Sequence, residues 1–195
     1  LGLEFFDESE DVESLKVEIA EMEKIVVARL EAERLNARHV ELSRTQVDVR
    51  EMLQNLVKNF FARDADRIQL DFPEVPLVLS LDEARITLLL KNLVGNALRY
   101  SKPEDGPVKV TVLKTDKEFV ITVADRGPGL SKHQAAHIGE PFYRGDPSRA
   151  RESGGTGLGL YLSTLVARAH GGTLTLLETD VQGACFEVRL PLISA

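Results

Sequence analysis

The sequence predicts an α/β domain of the α+β sandwich kind, a mixed β-sheet covered on one face by about three helices and preceded by one long helix. Three observations lead there. Apolar residues recur at steps of three and four over 11–35, 48–60, 82–100 and 157–170, the period of helices that bury one face. The strand-like segments are short and come as hairpins and pairs, not at regular βαβ spacing, which disfavours a doubly wound sheet. The chain has 195 residues, 43% hydrophobic and 28% charged, enough for one globular domain with an appendage.

Residues 1–10 read as the end of one element and a turn. From Asp11 to about Leu35 a helix carries an apolar seam, Val12, Leu15, Ile19, Met22, Val26 and Leu30, between charged faces. Such a seam suits packing on its own domain, or an antiparallel hairpin or dimer bundle. The polar stretch Arg34 to Arg44 reads as a hinge ending in a short extended run. Asp48 with Glu51 three residues on opens a helix whose apolar face is Met52, Leu53, Leu56, Val57 and Phe60. Arg67–Phe72 and Leu77–Leu81 read as strands, separated by Pro73 and Pro76. Asp82 caps a helix running to about Tyr100. Val108–Leu113 and Phe119–Ala124 form a hairpin around Thr115–Lys117. A short helix starts at Ser131, a loop spans Arg144 to Thr156, and a helix runs from Gly157 to His170. Gly171-Gly172 ends it, and Thr173–Glu178 and Ala184–Leu190 are closing strands.

Composition excludes several classes. With 24 Lys+Arg against 31 Asp+Glu the net charge is −7, which argues against general nucleic-acid binding. A single cysteine, Cys185, and no zinc-spaced Cys/His cluster fit a reducing, cytoplasmic compartment. No apolar run reaches the ~20 residues of a membrane span. The chain opens at Leu1 without Met and reads as a piece of something longer, so any membrane spans belong to a missing N-terminal part.

Three motifs carry chemistry. On the helix 82–100, Ile86, Leu90, Leu93, Val94 and Ala97 share one face, and Asn92, Asn96, Arg99 and Tyr100 run along its edge. An amide oxygen is a hard ligand suited to magnesium, and an arginine beside it can clamp phosphate. Two solvated amides would look the same. Next, Asp125-Arg126-Gly127-Pro128-Gly129 follows a strand directly, placing a carboxylate beside backbone that a ligand can approach. An ordinary tight turn also begins this way. Last, Gly154-Gly155-Thr156-Gly157-Leu158-Gly159-Leu160 runs into a helix, where bare amides and the dipole favour an anion. It is neither a Walker motif nor a Rossmann turn. A loop rich in Gly, Ser and charge, Gly145 to Gly155, leads into it as a lid would; a glycine-tolerant connector is the plain alternative.

Together, in this order and spacing, the motifs resemble the catalytic, ATP-binding domain of bacterial sensor histidine kinases, within the group that includes gyrase, Hsp90 and MutL ATPases. Asn92 to Ser101 resembles the asparagine box, Asp125 to Gly129 the first glycine box, Pro141-Phe142-Tyr143-Arg144 the phenylalanine box, and Gly155 to Leu160 the second glycine box. His170-Gly171-Gly172 resembles the family's ending of the next helix. The resemblance covers about residues 40–192 and implies a Bergerat-type ATP-binding fold over 39–195. Residues 1–38 then resemble the second helix of a truncated dimerisation and phosphoacceptor hairpin.

The resemblance implies roles. Asn92 and Asn96 meet magnesium and the phosphates, with Asn92 as the metal ligand. Asp125 takes the exocyclic amine of adenine, and Gly127 and Gly129 let backbone lie against the base. Arg99 replaces the commoner Lys, keeping charge but binding as a planar fork. Tyr100 packs on the nucleotide, and Arg144 reaches the terminal phosphate. Gly155, Gly157 and Gly159 donate amides and hinge the lid, with Thr156 and Leu158 in the same cofactor-binding loop. Asn92, Arg99 and Arg144 form the catalytic set, and ATP and magnesium are the implied cofactors. Implied partners are a response-regulator receiver domain and, in the full-length protein, a second copy. The implied setting is a cytoplasmic domain of a protein anchored in the bacterial inner membrane.

The family's acceptor motif, similar to His-Glu/Asp-x-x-x-Pro, is absent. His39 is followed by Val40-Glu41 without the proline, His133 and His137 stand one turn apart with no third metal ligand, and His170 ends a helix. All four read as structural or solvated, and the chain alone is expected not to autophosphorylate. An anti-sigma-factor-like serine kinase, a conformational ATPase clamp, or a non-catalytic nucleotide-binding dimerisation module of the same fold is the alternative. The phenylalanine box and the seam helix favour the histidine kinase.

Overall fold

The computed structural model describes residues 8–36, 41–144, 156–178 and 182–192. Five helices lie among them: α1 (Glu8–Asn36), α2 (Val49–Phe60), α3 (Glu83–Tyr100), α4 (Lys132–His137) and α5 (Gly159–Ala169). β1 (Thr45–Asp48) and β3 (Val78–Leu81) pair as a two-stranded antiparallel ribbon. β2 (Ile68–Asp71), β4 (Val108–Lys114), β5 (Glu118–Ala124), β6 (Thr173–Leu177) and β7 (Cys185–Pro191) form a five-stranded sheet in the order β2-β4-β5-β7-β6. β2 and β4 run parallel and the other neighbours antiparallel, so the sheet is mixed, as expected.

Strand register decides which side of the sheet meets the helices. Val110 lies across from Val123, Val123 from Phe186 and Phe186 from Leu176; Val112 lies across from Ile121, and Ile121 from Val188. Side chains alternate along a strand, so these share one face. Val110, Val112, Ile121, Val123 and Val188 are buried there with the apolar faces of α2, α3 and α5. The other face carries Thr111, Thr122, Glu187 and Thr175 in one row.

The caps read from sequence form. The Asp48 carboxylate accepts from the amides of Arg50 (2.9 Å) and Glu51 (3.2 Å), starting α2. The Asp82 carboxylate accepts from the Arg85 amide (3.2 Å), starting α3. Each such cap stabilises its helix by about 1 kcal/mol. On α3, Ile86, Leu90, Leu93, Val94 and Ala97 are all buried, with Leu89 added. The β4–β5 turn also lies where expected, because the Thr115 hydroxyl accepts from the Glu118 amide (3.0 Å).

Elsewhere the boundaries differ. α1 begins at Glu8, inside the expected turn; residues 1–7, His39 and the whole of the expected lid, Gly145 to Gly155, lie outside the described residues. β1 begins one residue past the expected hinge, because Val47 and Val49 are buried and drag that segment into the core beside β3. α5 starts at Gly159, since Gly157 sits at φ +70° and cannot be helical. Phe60 is 48% exposed, not buried, and the Lys91 ammonium lies 4.5 Å from its ring centroid.

The seam of α1 stays open. Val12, Leu15, Ile19, Met22, Val26 and Leu30 are 48–64% exposed. The C-terminal end of α1 docks on the domain: Ala32 and Leu35 are buried in the core, Asn36 donates to the Tyr161 hydroxyl (3.0 Å), and Glu31 pairs with Arg85 (3.4 Å).

His170 is 1% exposed and ties the end of α5 to the start of α3. Its Nε2 accepts from the Asp82 amide (3.2 Å) and its Nδ1 lies 2.9 Å from the Val166 carbonyl, so the ring is neutral with the proton on Nδ1. Burial above all pushes the imidazole below its ordinary 6.5. Its contribution to stability is therefore intact above pH 6.5 and is lost as the pH falls through the lowered value. Urea midpoints should drop from pH 7.5 to 5.5, and drop less in His170→Gln, whose amide can accept and donate at the same two groups. Equal drops in the two proteins would contradict this.

Candidate nucleotide-binding site

Two clusters of expected site residues assemble at different points along α3. Asn92 and Tyr100 are eight residues apart, about 12 Å along the helix axis. Near Asn92 lies the start of α5; near Tyr100 lies the loop that follows β5.

At the first cluster, the Asn92 amide donates to the Gly159 carbonyl (3.1 Å) and reaches the Ser163 hydroxyl (3.5 Å). The two helices pack closely here: a Cβ at 159 would touch the Asn92 amide carbon and oxygen at 3.4 Å, an ordinary van der Waals contact. Ser163 is fully buried and donates to the Gly159 carbonyl (2.8 Å), turning back on its own helix. Among the described residues no donor meets the Asn92 Oδ1. That leaves a hard amide oxygen for a magnesium ion, and the residues present fit one. Among the described residues no side chain caps α5, and its first amides have no intrahelical partner, an arrangement whose chemistry suits an anion.

Gly157 precedes this helix in a left-handed conformation, and its carbonyl accepts from the Phe142 amide (3.0 Å). Phe142 is itself left-handed at φ +65°, a costly state for a residue with a side chain. A Cβ on Gly157 would come within 2.7 Å of the Phe142 carbonyl carbon. The segments on either side of the expected lid thus meet backbone to backbone at Phe142 and Gly157.

At the second cluster, β5 ends at Ala124 and Asp125 follows, half-buried. Its Oδ1 accepts from the amides of Gly127 (2.8 Å) and Ala184 (3.2 Å), while its own amide donates to the Ala184 carbonyl (2.9 Å). Burial, the largest effect, raises the Asp125 pKa above 3.8 despite these two donors. The second oxygen, Oδ2, has no donor among the described residues and can accept from an amine. Gly127 packs on the end of α3, where a Cβ would fall on the Tyr100 carbonyl. Gly129 lies beside Gly183, and a Cβ there would lie 3.1 Å from the Gly183 carbonyl oxygen.

The other expected residues are placed less tightly. Tyr100 is 50% exposed. Asn96 is half-buried and Arg99 exposed, and neither makes a hydrogen bond or ion pair among the described residues. Arg144 is exposed at the edge of the described segment. Leu158 is 1% exposed, so its side chain is core and only its backbone can face a ligand. The Thr156 hydroxyl accepts from the Leu158 amide at 3.4 Å. The His133 and His137 rings lie 4.9 Å apart, and His137 meets Glu140 at 3.0 Å; among the described residues no three metal-ligand side chains gather.

Sequence reading missed Ser163 and the Gly183-Ala184 segment. Ser163 and Ala167 continue from Gly159 at steps of four, a small-residue stripe that signals close helix approach. For Gly183-Ala184 no local signal exists, because the contact with Asp125 spans 59 residues.

Two substitutions test this geometry. Gly127→Ala should destabilise the fold by about 1–3 kcal/mol, since Tyr100 backbone must move; an unchanged urea midpoint would contradict the packing. A carboxyl with a raised pKa favours the fold most below 3.8 and loses that advantage as the pH rises through the raised value. Asp125→Asn keeps an acceptor for both amides and removes the buried charge. Its thermal midpoint at pH 7 should equal or exceed that of the unmodified chain, with the difference shrinking on acidification.

Residues 81–194 match the family described as Histidine kinase-, DNA gyrase B-, and HSP90-like ATPase. The chain is 36% identical over 179 residues to the sensor histidine kinase MtrB of Mycobacterium leprae, covering 90% of this chain and 32% of that one. It is 41% identical over 111 residues to the signal transduction histidine-protein kinase AfsQ2 of Streptomyces coelicolor, covering 57% and 20%. The chain thus spans about a third or less of these relatives' length. Among solved structures, full-length ShkA in complex with AMPPNP superposes with a TM-score of 0.79 at 27% identity, over 100% of this chain and 41% of that one. The Acinetobacter baumannii histidine kinase AdeS shares the fold, with a TM-score of 0.77 at 21% identity over 97% and 88%. The asparagine-bearing helix, the carboxylate turn and the glycine-led helix all fall inside the matched span, and the chain belongs to the histidine kinase-, DNA gyrase B- and HSP90-like ATPase family.

Proposed function

We propose that this chain is the ATP-binding catalytic part of a two-component sensor histidine kinase. The single observation that carries the reading is that two clusters of polar groups with complementary chemistry stand against the same helix, α3. An amide with a spare hard oxygen stands beside uncapped helix amides near Asn92, and a locked carboxylate with one unused oxygen stands near Tyr100. The first cluster suits phosphates and a cation, the second an exocyclic amine. The relatives named above are histidine kinases, and ShkA was crystallised with a nucleotide analogue, which supports this reading over a serine kinase or a non-catalytic module.

In this reading Asp125 Oδ2 accepts from the adenine amine, and its two backbone donors fix the carboxylate for that contact. Gly127 and Gly129 let the base approach backbone, and Tyr100 packs on the nucleotide. Asn92, with Asn96, takes the magnesium and phosphates; Arg99 and Arg144 neutralise phosphate charge. The amides of Gly155, Gly157 and Gly159 cradle the phosphate chain. Bound magnesium supplies charge neutralisation on the phosphates. These side chains position and neutralise, which is most of what phosphoryl transfer asks of a protein. The acceptor is an imidazole nitrogen on another helix, which takes the γ-phosphoryl as ADP leaves and passes it to a response regulator. Residues 1–38 belong to the dimerisation hairpin, with α1 as its second helix and the open seam of α1 as the packing face, and the whole protein is membrane-anchored and dimeric.

Calorimetric titration with magnesium-ADP tests the proposal. Saturable binding is expected. Asp125→Asn should weaken it about 10- to 100-fold, the loss of one hydrogen bond to a charged group. Asn92→Ala should remove the dependence on magnesium. No heat from the unmodified chain, or equal affinity in Asp125→Asn, would contradict it.

A further inference from the structure

Arg67 closes the short helical turn Ala62–Arg67 just before β2, far in sequence from every motif above. Its side chain is 21% exposed, yet its guanidinium is fully engaged on one side. Nη1 donates to the Asp64 carboxylate (2.9 Å), and Nη2 donates to the carbonyls of Leu98 (3.2 Å) and Ser101 (2.9 Å). Nε is buried with no acceptor among the described residues. A buried donor without an acceptor is costly, and the three bonds made by the Nη atoms offset that cost.

The two carbonyls bracket the last turn of α3. A helix leaves its final carbonyls without partners. The amide that would close on Leu98 is that of Lys102, which instead donates to the Asp105 carboxylate (2.8 Å). Arg67 takes its place. Arg99 and Tyr100 lie between the two anchored carbonyls, and the Tyr100 carbonyl is the surface on which Gly127 packs. The turn held by Arg67 therefore carries two proposed nucleotide contacts and sets the position of the Asp125 loop.

We infer that Arg67 is a positioning residue for the adenine end of the site, acting through the 98–101 turn. This rests on the nucleotide reading given above. Asp64 orients the guanidinium, and no contact of Arg67 with nucleotide is involved.

Magnesium-ADP titration and amide hydrogen exchange on the folded chain test this, with Arg67→Met, Arg67→Lys and the exposed neighbour Arg63→Met. Arg67→Met should weaken binding about tenfold at a temperature well below its unfolding midpoint, Arg67→Lys less, and Arg63→Met not at all. In the absence of nucleotide, exchange at Arg99, Tyr100 and Ser101 should be about tenfold faster in Arg67→Met, with the β5 amides unchanged. A merely stabilising arginine would lower the unfolding midpoint and leave affinity and local exchange alone. Loss of affinity below about threefold, or unchanged exchange at those amides, overturns the inference. Absence of binding in the unmodified chain sinks the nucleotide reading instead, and exchange then decides alone whether Arg67 orders that turn. Should Arg67→Met fail to fold, Arg67→Lys carries both measurements.

Discussion

Asn92 and Gly159 are 67 residues apart, and the amide of one donates to the carbonyl of the other across the α3–α5 contact. The small residue at 159 lets the two helices pack closely, its Cα facing the asparagine amide. The contact depends also on Ser163, whose buried hydroxyl satisfies the same carbonyl from its own helix. A polar group desolvated without partners costs more than a made bond returns, so this trio holds α5 at one height against α3. That height sets where the uncapped amides of α5 face, and with them the phosphate end of the proposed site. His170 fixes the other end of the same helix to the start of α3.

The opposite end of α3 is held by different means. Backbone meets backbone at Tyr100 and Gly127, and a carboxylate is staked by two amides from separate segments. Asp125 is a poor choice for stability, because burial disfavours its charge. Two backbone amides meet one of its oxygens, and the other is left for a hydrogen-bond donor such as an amine. Rigid placement of a few groups along one helix is what a reaction run by positioning and charge neutralisation requires.

Much of this was legible in the sequence. The caps at Asp48 and Asp82 and the buried stripe from Ile86 to Ala97 follow from local rules that residue type obeys nearly everywhere. The β4–β5 turn is equally local. The glycine-led helix and the carboxylate turn were readable because glycine has few other reasons to recur there. Reading failed where long-range contact overrides local preference. Nothing near Thr45 announces pairing with Leu81, and Phe60 has the period of a core residue yet lies under a lysine at the surface. The locking of Asp125 by Ala184 and of the α3 end by Arg67 are contacts between segments with no shared pattern.

A crystal structure with magnesium and a non-hydrolysable ATP analogue addresses the central claim most directly. The account predicts the adenine amine on the Asp125 carboxylate, the cation on the Asn92 amide oxygen and the phosphates over the start of α5, all against one unbroken α3. A nucleotide seated elsewhere, or one whose base and phosphates do not span these two clusters, would contradict it.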